Sequence, residues 1–172
     1  MSIPKPELYI SVDVEASGPI PGEYSLLSIG ACLVTDPKQN FYCELKPLNQ
    51  NFVPKAMEVN GLSQEKLQHT GETPAAAMAR FETWIGEVSG GSRPVFVAFN
   101  ATFDWMFTHW YFMKFLGRDP FGISGLDIKA YFMGKQKARW GETVKNRIRL
   151  LYPSKTPHSH NALDDATEQA EI

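Results

Sequence analysis

A chain of 172 residues suits one domain, spanning 1–172. At that length roughly 70% of the unfolded surface can be buried, so no disulfide framework or structural zinc is needed to hold a core. The chain is 43% apolar and 12% aromatic with a formal net charge of −2, which excludes a disordered chain and one that coats long nucleic acid by charge alone.

The opening segment MSIPKPELYI has no charged start followed by a long apolar run, and nowhere do roughly 18 apolar residues follow one another. The expectation is a cytoplasmic protein with no membrane partner. Residues 8–14 then alternate. Ile10, Val12 and Val14 face one way and Ser11, Asp13 and Glu15 the other, which predicts a strand. Leu26–Thr35 is a mostly apolar run with one glycine and reads as a central strand. Asp36-Pro37-Lys38-Gln39-Asn40 is turn chemistry, and Phe41–Lys46 returns as a third strand. Cys32 and Cys43 flank that turn. Two cysteines make no framework, and reduced, half-buried thiols are expected over a disulfide between cross-strand neighbours.

Residues 54–68 read as one or two short helices broken at Asn60-Gly61. Thr73-Pro74 starts a helix, with apolar side chains at Ala77, Met78, Phe81, Trp84, Ile85 and Val88, and Gly90-Gly91 stops it. Pro94–Phe99 is a fourth, buried strand. Residues 102–116 form a helix apolar on nearly every face. Ile123–Ile128 is a fifth strand, and 161–172 a last helix with Asn161 as its N-cap. The order predicts an α/β fold of three layers, α/β/α, with a mixed five-stranded sheet whose first three strands are an antiparallel meander. Between Lys129 and Lys155 stand eight basic residues and one acid, Glu142. This stretch reads either as a solvated basic face or as a cationic rim that guides a phosphate backbone.

Three segments carry chemistry. Asp13 and Glu15 lie two apart on a strand, so both point to one face about 6.5–7 Å apart, where like charges repel unless a cation joins them. Hard oxygen donors suit Mg²⁺ or Mn²⁺ better than zinc. The alternative is an edge strand with a solvated acidic face. Asp104 falls in the first turn of a helix just after a strand, where it either complements the helix dipole or faces a site with Asn100. In the last segment, Asp164 is placed to bond back to the amide of the Asn161 cap, which leaves Asp165 to face the strands. His160 is a candidate general base, and His158 a solvated alternative.

Together these segments resemble the DEDDh exonuclease superfamily, which includes ribonuclease T, oligoribonuclease and the epsilon proofreading subunit of bacterial DNA polymerase III. The first motif stands as Asp13-Val14-Glu15-Ala16-Ser17-Gly18, the second as Asn100-Ala101-Thr102-Phe103-Asp104, and the third as His160-Asn161-Ala162-Leu163-Asp164-Asp165. The step of five from His160 to Asp165 matches the histidine subgroup. Val59-Asn60-Gly61-Leu62 is similar to a loop that packs on the terminal nucleotide in relatives.

The resemblance implies a ribonuclease H-like fold and a 3′–5′ exonuclease that releases nucleoside 5′-monophosphates from single-stranded nucleic acid, with short RNA favoured over DNA. It implies two divalent cations, Mg²⁺ or Mn²⁺, held by Asp13, Glu15, Asp104 and Asp165, with His160 as base. Ala16, Ser17, Val59, Asn100 and Phe103 are implied as contacts to the substrate 3′ end. The superfamily includes homodimers, so a second copy is a candidate partner. The rivals are a DNA-directed trimming or proofreading exonuclease and a non-catalytic ribonuclease H-like binding module.

Overall fold

The structure is a computed structural model and describes residues 5–156 and 159–172. Its sheet is built from β1 (Glu7–Ala16), β2 (Leu26–Leu33), β3 (Asn40–Glu44), β4 (Arg93–Ala98) and β5 (Gly125–Asp127) in the order β3-β2-β1-β4-β5. β1, β2 and β3 pair antiparallel as a meander, while β4 and β5 join parallel to β1. The carboxyl ends of β1, β4 and β5 therefore share one edge. The first acidic pair lies on a central strand, which removes the edge-strand alternative.

The period-two pattern divides the sheet's faces. Ile10, Val12 and Val14 of β1 join Ile29, Ala31, Phe41 and Cys43 in the apolar core. That face is covered by α3 (Pro74–Ser89) and α4 (Ala101–Leu116). Phe81 stacks between Phe41 and Phe112, with ring centroids 4.7 and 5.6 Å away. Burying each such aromatic contributes about 1.5–3 kcal/mol. α4 buries a stripe of Asp104, Phe107, Thr108, Tyr111 and Phe112, while Met113 and Lys114 are exposed. Its apolar residues thus spread beyond one buried face, as the sequence predicts.

The opposite face of the sheet carries small and polar residues, among them Ser11, Asp13, Gly30 and Cys32, and is covered by α7 (Ala162–Glu171). Ser11 Oγ donates to the carbonyl of Ala166 at 2.7 Å, and Cys32 Sγ lies 3.5 Å from the same oxygen. Gly30 is the reason α7 seats so closely. A Cβ there would lie 2.1 Å from the carbonyl carbon of Ala162 and 2.2 Å from the amide of Leu163.

Two expectations need correction. Cys32 and Cys43 are both buried free thiols, but Cys32 pairs with Asn40 and Cys43 with Ile29. They project to opposite faces and are not neighbours. Burial pushes both thiols up, to about 11 and about 12, so they stay protonated. The fifth strand is also shorter than read, three residues instead of six. It gives way at Asp127, whose carboxylate accepts the Ala130 amide at 2.6 Å and starts α5 (Ile128–Gln136).

The basic stretch forms α5, a 3-10 turn (Trp140–Glu142) and α6 (Lys145–Leu151). α1 (Pro54–Asn60) and α2 (Gln64–Thr70) break at Gly61, which takes a left-handed φ of 65° as the sequence predicts. No helix among the described residues is long and apolar enough to cross a membrane.

Candidate functional site

β1 supplies Asp13 and Glu15 near its carboxyl end, on the face toward α7. α4 supplies Asp104, which is 5% exposed and accepts the amide of Val14 at 3.1 Å. That bond ties the first turn of α4 to β1. α7 supplies Asp165, 2% exposed, one turn in from the Asn161 cap. The cap side chain accepts the amides of Leu163 and Asp164. Three elements distant in sequence thus place four carboxylates together. Ligand-capable atoms of Glu15, His160 and Asp165 all lie within 4.8 Å of one another.

Asn100 and His160 both have positive φ, 67° and 56°, and each stands just before a helix that brings in an acid. Non-glycine residues held there are sparse and gather at functional sites. Asn100 uses no side-chain cap bond and is exposed. The first amide of α4 is satisfied instead by Asp127, at 2.7 Å from Ala101. His158 lies outside the described residues.

The electrostatics follow from the crowding. Burial first, then repulsion from Asp104, Glu15 and Asp165, pushes the Asp13 carboxyl well above its ordinary range. Burial followed by the charges of Asp165 and Asp104 raises Glu15 to about 8. Burial raises Asp104 to about 7 against the opposing bond from Val14. Crowded, desolvated carboxylates hold protons unless a cation replaces them. Carboxylates with one imidazole fit a divalent cation, which Glu15, His160 and Asp165, with Asp13 and Asp104 beside them, could hold.

A pH effect on stability follows. The folded values of Glu15 and Asp104, about 8 and about 7, exceed ordinary values of 4.5 and 3.8, so the metal-free folded state binds protons that the unfolded chain releases. Their contribution is complete below about pH 4 and is lost as pH rises through about 7 to 8. In chelator, the melting temperature of the native chain should fall more steeply between about pH 5 and 8.5 than that of Glu15→Gln. Identical slopes would contradict it.

Sequence reasoning missed the layer behind the carboxylates. Gln169 Nε2 donates to Asp13 Oδ1 at 2.5 Å, and its Oε1 accepts the amide of Phe99 at 2.9 Å. It clamps β1, β4 and α7 together at the site. Glu168, fully buried, is ion-paired with Lys145 at 2.9 Å and with Arg149. The Lys145 ammonium is close enough to lower the carboxyls of Asp13 and Asp104. The only sequence signal was the excess of basic residues in 129–155, which does not say which one turns inward.

Two residues do other work than expected. Ser17 is fully buried, and its amide donates to the Ser25 carbonyl. Its hydroxyl donates to the Asn51 carbonyl and accepts the Ser25 amide, so Ser17 shapes the loop from inside. The Asp164 carboxylate accepts from Ser159 Oγ at 2.7 Å, and the amide of Asn161 donates to that same Oγ. The expected direct bond from Asp164 to the cap amide is relayed through a serine, because left-handed His160 swings Ser159 between them.

Beside Glu15 opens an apolar cleft of about 430 Å³, lined by Ala16, Pro19, Val53, Ala56, Val59 and Phe103. Buried Asn60 holds one wall, donating to the Ala16 carbonyl at 3.2 Å. The site joins a polar centre able to hold cations to a pocket sized for a small, flat apolar group.

The RNase_T family model, described as an exonuclease, matches residues 10–172. The chain is 49% identical over 167 residues to the Escherichia coli protein named 3′-5′ DNA exonuclease Cap18, covering 96% of this chain and 89% of that one. Among solved structures, the nuclease domain of 3′hExo, a DEDDh family member bound to rAMP, is similar at a TM-score of 0.75 and 13% identity, over 95% of this chain and 88% of that one. E. coli exonuclease I in complex with a dT13 oligonucleotide is similar at 0.74 and 16% identity, over 95% of this chain and 39% of that one. The chain therefore spans about two fifths of the length of exonuclease I. At these identities the two structures show the fold.

Proposed function

The chain belongs to the RNase_T exonuclease family and is a 3′–5′ exonuclease of the DEDDh type, and on that premise we propose that it removes nucleotides from the 3′ end of single-stranded DNA. The observation that carries the reading is the approach of Glu15, His160 and Asp165 within 4.8 Å of one another, with Asp13 and Asp104 close enough to be felt by them, beside an apolar cleft, in a chain 49% identical to a protein named as a DNA exonuclease. That relative shifts the preferred substrate from short RNA to the DNA-directed alternative.

Asp13, Glu15, Asp104 and Asp165 would hold two divalent cations, Mg²⁺ or Mn²⁺, which when bound would supply Lewis-acid polarisation of the phosphate and neutralise its charge. The residues of the chain do the rest. Phe103 and Val59 stack and wedge the terminal base, at about 1–3 kcal/mol for a good stack. Asn100 and the Ala16 backbone position the terminal nucleotide. His160 takes the proton of the attacking water, worth roughly 10²–10⁴ in rate. The bond from phosphorus to the 3′-oxygen of the preceding nucleotide breaks, and a nucleoside 5′-monophosphate leaves. Gln169 holds Asp13 in place through the step.

Matched single-stranded DNA and RNA oligomers, each with a free or a phosphate-blocked 3′ end, test this in Mg²⁺, Mn²⁺ and chelator. The expected products are 5′-mononucleotides from the 3′ end, faster from DNA, with little release from blocked strands and none in chelator. Release from the 5′ end, or equal digestion of blocked strands, overturns the polarity. Faster release from RNA overturns the sugar preference.

A further inference from the structure

Residues 129–155 carry a net charge of +7 on a chain whose total is −2, so the rest of the chain sums to −9. A polyanion approaching the acidic centre is repelled by the net charge of the rest of the chain and attracted by that of this segment. The fold puts the segment beside that centre. At one end, Asp127 accepts the first amide of α4 and starts α5. At the other, Lys145 of α6 pairs with buried Glu168 and is felt by Asp13 and Asp104.

The outer face between these anchors is unusual for a solvated basic surface. Trp140 is 56% exposed. The Lys129 ammonium lies 4.3 Å from the centre of the Trp140 ring. Arg139 is exposed beside them. A solubilising face needs cations but no exposed indole. Exposed rings interleaved with cations hold single strands, because every base has a face to stack and every phosphate a charge to pair. A stacked lysine is also held ready, so less side-chain freedom is lost when a phosphate arrives.

We infer that Trp140, with Lys129 and Arg139, is a docking platform for the single-stranded segment lying 5′ of the nucleotide being removed. The inference rests on the exonuclease reading of the acidic centre. Trp140 is five residues from Lys145, at most about 18 Å along the chain. The platform therefore lies within a few nucleotides of the acidic centre, and a dinucleotide, with one nucleotide upstream, offers it the least to hold.

The test compares a thymidine dinucleotide with an oligomer of about ten thymidines, in Mn²⁺, on the native full chain, Trp140→Ala, Trp140→Tyr and Lys129→Ala. Trp140→Ala should leave dinucleotide turnover unchanged and lower kcat/KM on the longer strand about tenfold, through KM, with Trp140→Tyr restoring most of it. Lys129→Ala should flatten the dependence of log KM on log salt by about 0.7, one phosphate left without a lysine partner. Undiminished kcat/KM on the long strand overturns the inference, as does an equal fall on both substrates. A sedimentation dimer that Trp140→Ala dissociates gives the face to a second copy and also overturns it. If the native chain releases mononucleotides from neither substrate, the exonuclease reading itself fails, which is a distinct result.

Discussion

Asp165→Asn is expected to cost at least a hundredfold in turnover while leaving the metal-free protein as stable as the native chain or more so. The loss follows from the donor set. Asp165 is one of four carboxylates facing one another, and an amide oxygen brings no negative charge to a divalent ion. Residues that merely orient metal ligands cost about 10–100-fold when changed, so removing a charged ligand should exceed that. The gain follows from repulsion, because Asp165 is the largest neighbouring charge that raises Glu15. Asparagine keeps the oxygen that accepts the Ser159 amide at 3.2 Å and deletes the charge. Melting in chelator should therefore hold or rise, while the upward shift caused by Mn²⁺ shrinks. Native turnover in this variant removes Asp165 from the ligand set. A large drop in melting temperature would mean that its role is structural.

Gly30→Ala attacks the same site from beneath α7. Its new methyl would sit 2.1–2.2 Å from backbone atoms of Ala162 and Leu163, which cannot rotate away as a side chain can. Either α7 lifts from β2 or the fold pays for overpacking, typically about 1–3 kcal/mol and at times more. For a chain of this size that is roughly 2–12 °C in melting temperature. Lifting α7 also carries His160 and Asp165 away from Glu15, so activity per folded molecule should fall with stability. Gly86 is the control. It lies within α3 with open space where a Cβ would go, and Gly86→Ala should raise stability by about 0.5–1 kcal/mol with activity unchanged. If Gly30→Ala melts within a degree or so of the native chain, α7 is not seated on β2 as described.

How much was legible depended on whether a signal was local. Alternation over residues 8–14 showed that Ile10, Val12 and Val14 share a face opposite Asp13 and Glu15, because side chains on a strand alternate by covalent geometry. Thr73-Pro74 marked the start of α3, although Thr73 makes no side-chain cap bond. Asn161 marked the cap of α7 and does bond the next amides. The short β5 was overextended, since an apolar run does not reveal that Asp127 will cap two helices and end the strand.

The sequence by itself determined the chemical inventory: which carboxylates, which imidazole, and the strand or helix each rides on. Those properties depend on neighbours within about four residues. The tertiary structure alone decided that Asp104 and Asp165, some 90 and 150 residues from the first acids, face them. It also decided that Gln169 braces the centre, that Ser17 turns inward, and that Lys145 and Arg149, among eight basic side chains, are drawn to Glu168. The placements of Asp165, Glu168 and Gln169 follow from how closely α7 approaches the sheet over Gly30, a distance set by packing between remote segments that no local pattern encodes.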